Sequence, residues 1–299
     1  DSEDLSLNIS RETLQHDGQL KLIAKTLEKK IKSELEKMLK NEREAYEEFF
    51  KAFGIQLKFG IYNDYGMHKD QLKDLLIFRS SAEKKYVTLK EYVSRMKEGQ
   101  NAVYYACGET DEKIDMLPQA DAVKDKGYEI LYLTENVDEF AVKMMGEYDG
   151  KKFVNICDDN LNLDSEDEKK ALQEENDAAK DMFEAMKESI GDKVNAVRFT
   201  NKLKNHPVCL TSEGGISLEM EKVLNSMPGT EQNKVKAQLV LEINAAHPIA
   251  EKLKKLFESD KDTLSKYSKL LYGEACLIGG KTVPDPAEHS ALVCELMTK

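Results

Sequence analysis

The amino-acid sequence predicts an α/β fold followed by an α+β fold: a helical hairpin and a small parallel-sheet unit, then a second sheet closed by helices. Three observations predict it. Apolar residues recur every three or four positions over residues 19–40. Between residues 102 and 156, short β-prone runs alternate with helical ones. Residues 248–298 return to helical spacing alone.

Leu20, Ile23, Leu27, Ile31, Leu35 and Met38 share one face of the first helix, with Lys and Glu opposite. A second helix, over 42–53, carries Tyr46, Phe49, Phe50 and Phe53, and Gly54 reads as its stop. These aromatics predict core packing against the first helix rather than an exposed binding patch. Residues 67–78 read as helical, and 88–97 as a short helix capped by Thr88. "AVYYACG" (102–108), "YEILYLT" (128–134) and "KKFVNI" (151–156) are the strands, with helices over 111–126 and 136–146 between them. Parallel sheets of this kind often hold nucleotides. However, no GxGxxG follows the first strand, no GxxxxGK[ST] occurs, and the "GET" after the strand is too short to cradle a phosphate.

Residues 158–184 hold eleven Asp or Glu against three Lys. This composition predicts a solvated linker running into a helix that ends near Ile190, and it places a domain boundary between 1–157 and 158–299. Strands follow over 194–203, 206–212 and 236–244. Helices follow over 248–258, 261–278 and 286–298. "ISLEMEKVLNSM" (216–227) is bracketed by Gly214-Gly215 and Pro228-Gly229, with Ile216, Met220, Val223, Leu224 and Met227 on one helical face. The final two helices carry Leu264, Tyr267, Leu270, Leu271, Leu277, Ile278, Leu292, Val293, Leu296 and Met297. That is more apolar face than a small domain covers, and a homodimer interface is an outlet for it.

Composition narrows the function classes. A chain of 299 residues with a net charge of −12 fits two soluble domains and argues against binding a phosphate backbone. No apolar run of membrane-spanning length and no signal peptide is present, which predicts a cytoplasmic protein with no membrane partner. The five cysteines are widely spaced and form no CxxC, so they read as reduced, mostly buried thiols. His68, His206, His247 and His289 form no HxxxH or HExxH, and no metal site is expected.

The stretch "SLNISRETLQ" (6–15) has Ser10 as a candidate helix cap and Arg11 in the first turn. A cation there faces the positive end of the helix dipole, which is locally unfavourable.

Six stretches together resemble the heat-shock protein 90 chaperone family, and its bacterial type most. They are "LSLNISRETLQ" (5–15), "EYVSRMKEGQNAVYYACGET" (91–110), "YEILYLTENVDEF" (128–140), "EYDGKKF" (147–153), "VRFTNKLKNHPVCLTS" (197–212) and "LEINAAHPI" (241–249). Their order and spacing run through essentially the whole chain. The resemblance implies the later part of a middle domain and a C-terminal client-binding and dimerisation domain, with the nucleotide-binding domain lying before residue 1. It implies a catalytic role for Arg11, reaching the γ-phosphate of ATP held by that other domain, with Gln15 beside it. A guanidinium suits charge developing on a transferring phosphoryl group, which explains the broken dipole rule. ATP and Mg²⁺ are then cofactors of the full-length protein only, and this chain alone is not an enzyme. The resemblance also makes the 216–227 helix a mobile client-binding element, and methionine suits such a promiscuous surface.

The chain departs from the family pattern at Glu135-Asn136, Cys107, Ser6 and Ala245, none of which touches Arg11 or Gln15. It ends in "CELMTK", without the acidic tail of eukaryotic members, so co-chaperones with tetratricopeptide repeats are not expected. Two other readings stand beside this one. One is a stand-alone α/β enzyme using Glu109 at the end of the first strand. The other is a purely structural dimerisation module.

Overall fold

Helices α1 (Gly18–Asn41) and α2 (Arg43–Tyr62) form the predicted hairpin. The computed structural model describes residues 18–229 and 234–298, and Arg11 and Gln15 lie outside them. Leu35, Met38 and Leu39 of α1 pack against the core that holds Tyr46 and Phe50, whereas Leu22, Leu27 and Ile31 are exposed among the described residues. Tyr46 and Phe50 are core residues as expected, but Phe53 is exposed. The expected stop at Gly54 is corrected, because α2 runs on to Tyr62. A Cβ at Gly54 would lie 2.8 Å from the Phe50 ring, so glycine serves close packing here and not termination.

Only part of 67–78 is helical. Helix α3 (Lys69–Leu72) and a 3-10 turn over Lys73–Leu75 lead into strand β1 (Ile77–Ser80), which pairs antiparallel with β2 (Tyr86–Thr88). Leu75, Leu76, Ile77 and Phe78 are all buried, and a run apolar on every side carries neither helical nor strand period. Helix α4 (Leu89–Ser94) starts at Thr88, whose hydroxyl accepts from the Glu91 N–H while the Glu91 carboxylate accepts from the Thr88 N–H.

The predicted parallel unit follows as β3 (Ala102–Cys107), α5 (Asp111–Asp115), α6 (Pro118–Asp125), β4 (Ile130–Leu133), α7 (Asp138–Met145), β5 (Glu147–Tyr148) and β6 (Lys151–Asn155). The single helix expected over 111–126 is two. Pro118 opens the second, and Leu117 before it is extended, as a residue preceding proline prefers. The sheet order is β2-β1-β4-β3-β6-β5, with β3 parallel to β4 and β6 and the outer strands antiparallel. It is therefore a mixed sheet around a parallel centre. Val103 and Tyr105 of β3 face α2 and α7, while Ala102, Tyr104 and Ala106 face α5 and α6. Burial on both faces is why this strand reads as a continuous apolar run.

The acidic stretch is less solvated than expected. Leu161 and Asp158 are buried, and Asp158 bridges to Ser212 of the second sheet. Helices α8 (Glu166–Ala178) and α9 (Lys180–Ile190) follow, with Ser165 capping α8. The second sheet is β7 (Ala196–Thr200), β8 (Val208–Glu213) and β9 (Gln238–Asn244), ordered β7-β9-β8. Helix α10 (Leu218–Ser226) lies between β8 and β9 in sequence, and α11 (Pro248–Ser259), α12 (Lys261–Ile278) and α13 (Pro286–Met297) complete the chain. Alternation divides this sheet too. Leu239, Leu241 and Ile243 face the core with α9 and α12, while Glu242 turns the other way and accepts from Arg198 Nε at 2.9 Å and Nη2 at 2.6 Å.

Candidate functional site

Strands β3 and β4 end side by side, and the chain leaves them over opposite faces, to α5 and α6 from β3 and to α7 from β4. Such a divergence opens a crevice at the carboxyl ends of parallel strands. A cleft of about 210 Å³ lies there, lined by Gly108, Glu109, Thr134, Glu135, Asn136 and Glu139, and α10 closes it with Glu219, Met220, Lys222 and Val223. The cleft opens into a larger groove of about 480 Å³. Ile55, Phe59 and Tyr62 of α2 form one wall, Val137 and Phe140 the floor, and Val223, Met227 and Pro228 the other wall.

Local rules set α10 in this position. Gly214 and Gly229 both take positive φ, as the turns on either side of the helix require. The Ser217 hydroxyl accepts from the Met220 N–H at 3.1 Å and caps the helix. No α10 residue is fully buried. Ile216, Met220, Val223 and Leu224 are half-buried, Met227 is exposed, and Ile216 also packs against the second core. The structure divides the sequence-derived set: Val223 and Met227 line the groove, Met220 and Val223 the cleft, Ile216 packs against the second core, and Leu224 is in neither lining. The sequence reading missed the facing wall. Ile55, Phe59 and Tyr62 continue the helical spacing of α2, a signal hidden by reading Gly54 as a stop.

Glu109 sits at the cleft mouth, exposed, between Lys113 and Lys222. Its hydrogen bonds to Lys113 first and Lys222 second hold the carboxyl down to about 2. So acidic a group is a poor general acid or base near neutrality. Burial pushes the neighbouring Cys107 thiol well up, away from the thiolate that nucleophilic chemistry needs. Among the described residues, no group of three or more His, Cys, Asp or Glu is arranged to hold a metal. Glu109, Glu135, Glu139 and Glu219, against Lys222 alone, give the cleft an acidic lining.

The terminal helices divide the expected interface set. Leu264, Leu271 and Leu292 are already covered by their own chain, a correction to reading them as interface. Tyr267, Leu270, Ile278, Val293 and Leu296 are half-buried, and Leu277 and Met297 are exposed.

The family model described as Hsp90 protein matches residues 1–299. The chaperone protein HtpG of Bacillus subtilis is 54% identical over 297 residues, covering 99% of this chain and 47% of its own length. Its counterpart from Clostridium perfringens is equally similar, at 54% identity with the same coverage. That of Clostridium botulinum is 52% identical over 297 residues. The chain spans about half the length of the curated relatives it matches. A family match along the whole chain, joined to relatives identical at half its positions, means that this chain belongs to the Hsp90 protein family.

Proposed function

We propose that this chain is the polypeptide-binding and self-associating part of a molecular chaperone. The observation that carries the reading is the groove of about 480 Å³ between α2 and α10, mostly apolar and open to solvent. Its exposed Ile55 and Phe59 offer apolar surface of the kind an unfolded segment seeks. The half-buried and exposed residues of α12 and α13 support a homodimer, which sets two grooves in one assembly. In the longer protein, Arg11 would act on the γ-phosphate of ATP bound with Mg²⁺ outside this chain, and Gln15 would stand beside it. Folding of client proteins would then draw on that hydrolysis. A cytoplasmic location accords with the free cysteines, and no helix among the described residues is long and apolar enough to cross a membrane.

The test is binding of a permanently unfolded protein, reduced and carboxymethylated lactalbumin, to the 299-residue chain by fluorescence anisotropy. Saturable binding that native lactalbumin does not compete supports the reading. No binding up to about 100 μM, the weak end of a useful affinity, overturns it.

A further inference from the structure

Helix α10 has no fully buried residue; Ile216 and Leu218 at its start pack against the second core, and polar side chains tie it on both sides. Toward the second sheet, Glu221 accepts from the Ala237 N–H at 2.7 Å and pairs with Lys281 Nζ at 3.1 Å. Toward the parallel unit, Lys222 Nζ pairs with Glu109 at 3.1 Å, Lys143 Nζ donates to the Gly215 carbonyl at 3.0 Å, and Ser217 Oγ donates to Glu139 Oε2.

The last of these contacts is unlike the other two. Lys222 and Glu109 are both exposed, where water competes for each partner. Ser217 and Glu139 are buried, at 3% and 4% exposure. A buried carboxylate that loses a donor is costly, so the contact resists opening. Glu139 is itself fixed to the sheet, because Oε1 accepts from Tyr105 Oη at 3.2 Å and from Asn155 Nδ2 at 2.9 Å. On the other side of the link, the Ser217 hydroxyl also accepts the Met220 N–H. One oxygen atom therefore both caps α10 and ties it to a residue 78 positions away.

The groove has one wall on α2 and the other on α10, so neither element alone is concave. We propose that Glu139 is a positioning residue for polypeptide binding: through Ser217 it holds the start of α10 against the parallel unit, and the groove is assembled only while that contact is made. This rests on the groove being the polypeptide site.

Cap and latch can be separated. Ser217→Asp keeps a good cap acceptor but cannot donate to Glu139 and faces it with like charge. Ser217→Gly, nearly neutral as a cap, removes the latch with no added charge. Ser217→Thr keeps both roles. Amide hydrogen exchange over residues 218–226 should quicken about tenfold in the Asp and Gly variants and stay near wild type in Thr, with β3 and β9 protection unchanged. Affinity for carboxymethylated lactalbumin should fall about tenfold in the first two and recover in Thr. Unchanged α10 exchange in both the Asp and Gly variants overturns the latch. Faster exchange with wild-type affinity overturns its link to the groove. If the unvaried chain binds no lactalbumin, the polypeptide-binding reading fails, and exchange alone decides the latch.

Discussion

The Lys58 ammonium lies 2.5 Å from Asp138 Oδ1, and both side chains are almost wholly buried where α2 crosses α7. The same ammonium sits 5.3 Å from the Phe50 ring centroid and 5.5 Å from that of Phe78. Burial raises the Asp138 carboxyl pKa, and the Lys58 charge opposes that rise. This pair fixes α2, and with it one wall of the groove, to the parallel sheet. Lys58→Ala leaves a buried carboxylate with no counter-charge and should cost about 3–5 kcal/mol in urea unfolding. The double change Lys58→Met with Asp138→Leu should recover most of that loss, since replacing both ions with apolar groups removes the desolvation cost. A double variant no more stable than Lys58→Ala would show that packing, not charge, governs the site.

Asp158 stands where the two sheets meet, buried, with Oδ1 lacking a hydrogen-bond partner. Burial, the largest cause, lifts its pKa from the usual 3.8 to about 7, with Lys143 opposing the rise and Glu139 adding to it. The folded state then holds a proton that the unfolded chain releases. Stability should therefore fall as pH rises from about 4 to about 7 and level off above. Asp158→Asn removes that slope. Relative to wild type it should gain roughly 1–3 kcal/mol between pH 4.5 and pH 8, at 1.36 kcal/mol per unit discounted for partial solvation. Parallel pH profiles for the two proteins would contradict this.

How much of this was legible in the sequence depends on the range of the interaction that decides it. β3 was legible because "AVYYAC" is buried on both faces and needs no partner to be recognised. α12 and its start at Lys261 were legible from spacing, and α10 from its glycine and proline brackets. The break at Leu117-Pro118 carried a signal that a purely periodic reading overlooked. Strands β1, β2 and β5 were not legible. They are two to four residues long and exist only because a neighbouring strand offers its edge. The latch between Glu139 and Ser217 and the burial of Asp158 join residues far apart in the chain, and no local pattern encodes them. Arg11 is the opposite case: its proposed role comes from the family resemblance carried by six stretches of sequence, since it lies outside the described residues.

Met220 distinguishes a detachable helix from a core one. It is half-buried, and no α10 residue is fully enclosed. Met220→Asp should therefore leave thermal unfolding within about 1 kcal/mol of wild type, as surface-type changes do, while weakening lactalbumin binding. A collapse of the melting transition would mean that the side chain is held in a core.

Gly273 decides how the last two helices meet. A Cβ at this position would lie 2.3 Å from His289 Nδ1 and 2.7 Å from its Cε1, so α13 approaches α12 over a bare backbone. Lys269–Glu288 at 2.8 Å and Lys266–Glu295 at 2.5 Å fasten the rest of the hairpin, and Leu292 is buried beneath it. Gly273→Val forces the ring or the helix outward, and such overpacking costs about 1–3 kcal/mol. If the exposed Leu277 and Met297, with half-buried Ile278 and Leu296, form a two-fold interface, displacing α13 breaks the surface on both copies at once. Sedimentation velocity should show the dimer dissociation constant rising by about tenfold or more, while amide protection in β3 and β4 is unchanged. The pair Gly273→Ala with His289→Ala should dimerise better than Gly273→Ala alone, because removing the ring relieves the clash directly. An undiminished dimer in Gly273→Val would place the self-association surface elsewhere, on the exposed apolar face of α1 or outside these helices altogether.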